Sequence, residues 1–236
     1  MLPLKRTKNA KKIRNFALAM AEKSMSSENP QLPEPTLRRL PWYLAYVSTL
    51  RAADVEYVST TRIAEALNVD PSQIAKDLSF LGIRGKTRIG YLVSALEDKL
   101  GSFLGFRQSH NAIMAGVGSL GAALIADSGL QRYGLNIVAG IDVNPALTGT
   151  MIGNVEIFAP ESTKELVERL DARIGVIAVP FESAQSVSDL LVDAGVKAIW
   201  NFTPSRIRVP EGIVIANTSI YSHLAVMYNR LSAIDR

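Results

Sequence analysis

Asn111-Ala112-Ile113-Met114-Ala115-Gly116-Val117-Gly118-Ser119-Leu120-Gly121 is the stretch on which the reading of the fold turns. An apolar run of strand length enters Gly-x-Gly-x-x-Gly and passes directly into the apolar, helix-forming Ala122–Ala126. In such a strand–loop–helix unit Gly116 permits a tight turn and Gly118 lets the backbone approach a pyrophosphate. Gly121 allows close helix–strand packing, and the phosphates rest on the helix N-terminus. Val117, Ser119 and Leu120 complete the cradle. Glycines at this spacing are weak evidence alone, but here a second strand, Leu135–Ile141, ends at Asp142, 21 residues after the last glycine. A carboxylate there would bind an adenosine ribose, and its charge favours NAD over NADP. Without that spacing Asp142 reads as a solvated strand-end residue, and a CoA-type ligand or a vestigial fold stands as the alternative to a dinucleotide.

Downstream the rhythm of strand, loop and helix continues. Strands are expected near Val155–Phe158, Arg173–Val179, Lys197–Phe202 and Ile213–Ala216, with helices near Ser162–Leu170 and Ser183–Ala194. Such alternation implies a mostly parallel sheet with helices on both faces. Val179-Pro180 and Asn201 end two of these strands, where ligands of open α/β sheets sit. Asn201 is therefore a candidate for the nicotinamide side, with the start of a turn before Pro204 as the equal alternative. A last helix, Ile220–Leu231, closes the pattern.

Upstream the pattern is helical. Leu37, Leu40, Tyr43, Leu44, Val47 and Leu50 mark an amphipathic helix ending near Ala53. Ser59 is a candidate N-cap for a short second helix, which turns at Asn68-Val69. Asp70 caps a third, with Pro71 in its first position and Gln73 at the capping-box position, and Gly82 ends it. Ile74, Leu78 and Leu81 share the inward face of that helix, leaving Ser72, Gln73, Lys76 and Ser79 outward. Residues 83–91 then read as a β-hairpin in which Arg84, Lys86 and Arg88 alternate onto one face. Leu92, Leu96, Leu100 and Leu104 mark a connecting helix. Three helices followed by a basic hairpin is the order of a winged helix-turn-helix, whose last helix enters the major groove of DNA. A protein-binding module with a solvated polar face is the alternative.

The whole reads as an α/β chain: an N-terminal winged helix-turn-helix, then a Rossmann-type parallel sheet. The expected divisions are a basic extension over 1–33, a DNA-binding domain over 34–107, a dinucleotide domain over 108–216 and a terminal helix over 217–236. Charge follows them: net +5 over 1–33, +2 over 34–107 and −3 over 108–236. A basic front on an acidic back suits a polyanion-binding module, or equally a basic tail. The 236 residues contain no cysteine and only two histidines, which argues against disulfides, thiol redox sensing and a His-rich metal site. No metal is expected. No apolar run approaches the ~20 residues of a membrane span and no secretory signal is legible, so no membrane partner and a cytoplasmic location are expected. Hydride catalysis needs a proton donor beside the cofactor. The chain has no Tyr-x-x-x-Lys, and neither His110 nor His223 has an evident partner, so no enzymatic activity is expected.

Arg39-Leu40-Pro41, Val69-Asp70-Pro71, Lys76-Asp77-Leu78-Ser79, Gly90-Tyr91, the glycine loop, Asp142, Ala184-Gln185, Asn201-Phe202 and Val209-Pro210 together resemble, in order and spacing, the redox-sensing repressors called Rex, over 35–236. The resemblance implies a homodimer with an exchanged C-terminal helix whose apolar face is Ile220, Leu224, Met227 and Leu231; intrachain packing is the alternative. It also implies binding to a palindromic double-stranded operator and release when NADH, rather than NAD⁺, occupies the site. The chain departs from the family pattern in places. Ala75 stands where an Arg precedes the reading helix's Lys. Arg84 and Arg88 replace an aromatic residue and a glycine in the wing. Ala45, Asp127 and Ser219 replace the Arg, Tyr and Asp that read the nicotinamide's redox state.

Overall fold

A computed structural model describes residues 32–234, which form two compact units dividing between Leu104 and Gly105. Apart from Leu32 and Pro33, the basic extension lies outside the described residues. Leu32 is buried and so belongs to the first unit's core.

In the first unit, α1 (Glu34–Ala52) buries Leu40, Tyr43, Leu44, Val47 and Leu50 along one stripe. α2 (Thr60–Leu67) starts where the Ser59 side chain accepts the backbone N–H of Arg62, and ends at Asn68 in the left-handed region. α3 (Pro71–Phe80) starts where Asp70 accepts the N–H groups of Ser72 and Gln73. The expected capping box is only half formed, because the Gln73 amide turns to Asp77 instead of back to the cap. At the C-terminus Gly82 donates to Ser79 O and Ile83 to Leu78 O, the paired bonds of a Schellman ending. α4 (Val93–Phe103) packs on α1 through buried Val93, Leu96 and Leu100.

The expected hairpin differs from its sequence reading. Residues 83–85 pair with nothing in the sheet sense, and the turn closes on one bridge, between Lys86 and Gly90. Arg88 lies at its tip with φ +64°, so strand alternation stops at Lys86 and the three basic residues do not form one extended stripe. The paired strands are instead β1 (Tyr57–Val58) and β2 (Tyr91–Leu92), which run antiparallel. Gly90 sits against them, where a Cβ would come within 2.3 Å of Val58 O.

The second unit is a seven-stranded sheet: β3 (His110–Ala115), β4 (Leu135–Ile141), β5 (Met151–Ile152), β6 (Val155–Phe158), β7 (Ile174–Ile177), β8 (Ala198–Asn201) and β9 (Val214–Asn217). Their spatial order is β5-β6-β4-β3-β7-β8-β9, parallel throughout except for the β5–β6 hairpin. Alternate residues of β3 serve opposite faces. Ile113 packs in a cluster with Leu166 and Val167 of α7 (Thr163–Arg169) and Leu191 of α8 (Ala184–Ala194). Met114 packs in the other, flanked by Leu124 and Ile125 of α5 (Ser119–Ala126). A short α6 (Ser128–Arg132) follows α5. The chain runs outward from β3 to β4 and β6, then returns to β7 on the other flank, so the strand order reverses between β3 and β7. The last helix, α9 (Ile220–Ile234), has no buried residue. Among the described residues no helix is long and apolar enough to cross a membrane, and no cluster of three or more His, Cys, Asp or Glu residues is placed to hold a metal ion.

Candidate functional site

At the C-terminal edge of the sheet the backbone sets the glycine loop by hydrogen bonds to its neighbours. Gly116 N donates to Ile141 O at 2.9 Å, and Ala178 N donates to Ala115 O at 2.8 Å. The three glycines meet different surroundings. Gly116 has φ +87°, and a Cβ there would lie 2.6 Å from Ala178 O. A Cβ on Gly121 would lie 2.0 Å from Gly116 O, so helix α5 approaches the loop as closely as only glycine permits. Gly118 is the opposite case: a Cβ would meet nothing within 4 Å. No packing contact excludes a side chain at Gly118, and the bare backbone faces open space at the start of a helix with no side-chain cap. An anion seated there would meet the uncapped N–H groups of the first turn. The cradle therefore fits a phosphate-bearing ligand.

Asp142 closes one side. Its Oδ2 accepts the N–H of Val117 at 2.8 Å and its Oδ1 accepts that of Asn144 at 2.9 Å, so the carboxylate holds the glycine loop and its own turn together. It is only half-buried, and each carboxylate oxygen has a second lone pair for a ribose hydroxyl. Across the switch point, Val179 is half-buried beside Gly116 and Pro180 is exposed. Asn201 is fully buried, and its amide is engaged on both sides. Nδ2 donates to Ser205 O and Asn217 Oδ1, and Oδ1 accepts from Thr203 N and Thr203 Oγ1. Its observed work is to frame the turn after β8 and tie it to β9. Gln185, from another segment of the resemblance, is also a fastener: its amide exchanges hydrogen bonds with both backbone groups of Arg208, next to Val209-Pro210.

In the first unit, Ser72, Lys76 and Ser79 are exposed on α3 and Gln73 is half-buried. The two hydroxyls bond back to their own helix, Ser72 to Asp70 and Ser79 to the carbonyl of Lys76. Arg84 and Arg88 are exposed on the turn after α3. Lys86 is tethered: its Nζ donates to the Tyr57 hydroxyl at 2.9 Å and lies 5.1 Å from that ring's centroid, and the hydrogen bond raises its pKa. Between this turn and α3, beside Ala75, lies an open cleft of about 400 Å³.

What sequence reasoning missed is the role of Asp77, quoted only within Lys76-Asp77-Leu78-Ser79. Its side chain is fully buried, yet it accepts five hydrogen bonds: from Arg39 Nε (2.7 Å) and Nη2 (2.9 Å), Tyr43 OH (2.8 Å), Gln73 Nε2 (2.8 Å) and Thr36 Oγ1 (3.0 Å). Burial pushes its pKa up, but the donors outweigh that and hold it below the usual carboxylate value. Burial, then the Asp77 carboxylate, pushes the Tyr43 phenol well above its usual value. The available signal was the spacing of Thr36, Arg39 and Tyr43, which puts three donors on one face of α1.

A helical unit of the DNA-binding type, followed in one chain by a Rossmann sheet with a phosphate-accepting glycine loop, defines a nucleotide-binding regulator rather than a lone module of either kind. Comparison with known proteins makes this specific: the chain belongs to the family of redox-sensing transcriptional repressors called Rex. It is 52% identical over 215 residues to Rex of Bacteroides thetaiotaomicron, covering 91% of this chain and 98% of that one. Against Rex of Porphyromonas gingivalis it is 52% identical over 204 residues, covering 86% and 94%. A solved structure of RSP in complex with β-NAD⁺ and operator DNA matches with a TM-score of 0.83 at 33% identity, over 86% of this chain and 94% of that one. RSP with β-NADH matches with a TM-score of 0.77, also at 33% identity, over 87% and 96%. Residues 31–79 match the family model described as "Putative DNA-binding protein N-terminus", and residues 107–205 match the model "CoA binding domain".

Proposed function

We propose that this protein is a transcriptional repressor that senses the NADH/NAD⁺ balance and releases its operator when NADH binds. The carrying observation is the Gly118 cradle: a helix start kept bare where no packing contact requires it, with Asp142 holding the loop beside it. In this reading Gly116, Val117, Gly118, Ser119, Leu120 and Gly121 seat the pyrophosphate, Asp142 takes the adenosine ribose, and Val179 and Pro180 wall the nicotinamide side. Asn201 serves that wall by framing its neighbouring turn rather than by direct contact. The bound nucleotide supplies a change of charge on its ring, not a reaction, so the protein is a switch and not an enzyme.

On the DNA side, the first unit acts as a winged helix. Lys76, Gln73, Ser72 and Ser79 of α3 face the major groove, and Arg84, Lys86 and Arg88 of the wing neutralise phosphates. The operator is palindromic because the protein is a homodimer. Support for the dimer comes from α9, a helix with Ile220, Met227 and Leu231 each about half exposed and none of its residues buried, and from the edge strand that precedes it in the chain, with Val214 67% exposed. Exchange of α9 between subunits would cover this surface. The expected location is the cytoplasm.

With Ala45, Asp127 and Ser219 at the positions that read the redox state in the family pattern, either another set of residues distinguishes NADH from NAD⁺ or this protein discriminates poorly between them. Ala45 is exposed on α1, Asp127 caps α6 through the N–H of Gly129, and Ser219 caps the start of α9 through Ser222 N. A coupling of ~1–3 kcal/mol between sites would change operator affinity roughly 5- to 150-fold. The test is a footprint on a palindromic duplex titrated with NADH and NAD⁺. NADH is expected to weaken the footprint more than NAD⁺, and Asp142→Ala to abolish the response to both. Equal effects of the two nucleotides would reject redox sensing while leaving repression standing. The match to a CoA-binding model favours a second reading, which thermal stabilisation by CoA and not by NADH would establish instead.

A further inference from the structure

The five donors on Asp77 have a consequence for how α3 presents itself to DNA. An ionised carboxylate is an acceptor only, so the part of the Gln73 amide that faces it must be the nitrogen. Gln73 Nε2 is thereby drawn inward, four residues along the same helix. The carbonyl oxygen Oε1 points the other way. No donor among the described residues engages it, and it is not among their buried unpaired polar atoms, so it is open to solvent. Thr36, Arg39 and Tyr43, all on α1, hold Asp77 from the opposite side and leave the carboxylate no freedom to release the amide.

We infer that Asp77 is a positioning residue for DNA reading: it fixes Gln73 so that the chain offers an acceptor oxygen to the major groove. The preferred partner is a base with an exocyclic amine, adenine through N6 or cytosine through N4. Adenine is further favoured because the second amide hydrogen can still reach its N7. Guanine, which offers only acceptors on that edge, is disfavoured at the same place. This rests on the reading of α3 as the DNA-reading helix.

The test uses the full-length protein and a duplex selected by it from a randomised pool. Each adenine and cytosine of a half-site is replaced in turn by an analogue lacking the exocyclic amine, and affinity is read by fluorescence anisotropy. At one position per half-site, amine removal is expected to weaken wild-type binding about three- to tenfold, the scale of one hydrogen bond. It should leave Gln73→Ala unaffected. Asp77→Asn frees the amide to turn over, so the amine requirement at that position is expected to vanish while preferences elsewhere persist. Tyr43→Phe, which removes one donor without touching Gln73, should lower thermal stability and keep the amine requirement. Should Asp77→Asn fail to fold, Gln73→Met, which keeps the side-chain length and neither donates nor accepts comparably, carries the comparison. A wild-type protein that selects no duplex would sink the DNA-binding reading. A selected duplex on which wild type and the Gln73 variants respond alike to every amine removal would overturn this inference alone.

Discussion

Asp77 in the first unit and Asp142 in the second are held in opposite ways. Asp77 is fully buried and accepts five bonds from side chains; Asp142 is half-buried and accepts two from backbone N–H groups. A carboxylate taken out of water has to be paired and hydrogen-bonded at nearly every lone pair, because each unmet one costs free energy in a low dielectric. That condition is met at Asp77 and leaves it rigid. Asp142 keeps contact with solvent, so it can hold the loop and still accept a ligand hydroxyl. The first arrangement is rigid, and the second leaves lone pairs open.

The sharpest way to break the comparison is to remove the buried partner. Asp77→Ala strands the Arg39 charge and the donors of Tyr43 and Thr36, with an expected loss of about 3–5 kcal/mol, the scale of breaking a buried ion pair. Chemical denaturation followed by the fluorescence of Trp42 in a Trp200→Phe background should report it, with the second unit's nucleotide affinity unchanged. Next in size is a contrast within the glycine loop. Gly121→Ala drives a methyl into Gly116 O and should cost both stability and nucleotide affinity, the latter at least about tenfold on the scale of ~1.4 kcal/mol. Gly118→Ala, with its methyl in open space, should lose no more than a weakened helix cap, a smaller melting loss than that of Gly121→Ala. It should nonetheless weaken NADH binding measured by fluorescence titration. Equal melting losses for the two alanines would end the assignment of Gly118 to ligand.

The smallest effect is in pH. The pKa of Tyr43 is raised on folding, so its contribution is complete below the unfolded value of about 10 and falls away as pH rises toward the folded one. Stability of the first unit should therefore decline above pH ~10 in wild type and less in Tyr43→Phe. Asp77 runs the other way. Its folded pKa is lowered, so its contribution is present above the unfolded value of about 3.9 and is lost as pH falls through the folded one. Circular dichroism across both limbs would separate the two groups.

Local chemistry made much of this legible. Ser59, Asp70 and Gly82 fix helix ends through bonds to residues two to five positions away, so the caps followed from sequence. The glycine loop and Asp142 were legible because a fixed spacing encodes their meeting. What stayed hidden is short or nonlocal. β1 and β2 have two residues each and exist only because 57–58 pairs with 91–92. The turn at Lys86–Gly90 depends on Gly90 fitting against Val58, and this breaks the alternation that the basic residues suggested. Asn201, equally legible as a ligand contact or a turn, is tied by partners as distant as Asn217.

The sequence by itself determined the order of the longer helices and strands, the caps of α2 and α3 and the glycine loop, because hydrophobic period, caps and glycine geometry act within one or two turns of chain. Tertiary structure alone decided which carboxylate is buried and which stays open. Arg39 and Asp77 are 38 residues apart, and only the fold that brings α1 to α3 buries the carboxylate and puts the guanidinium against it.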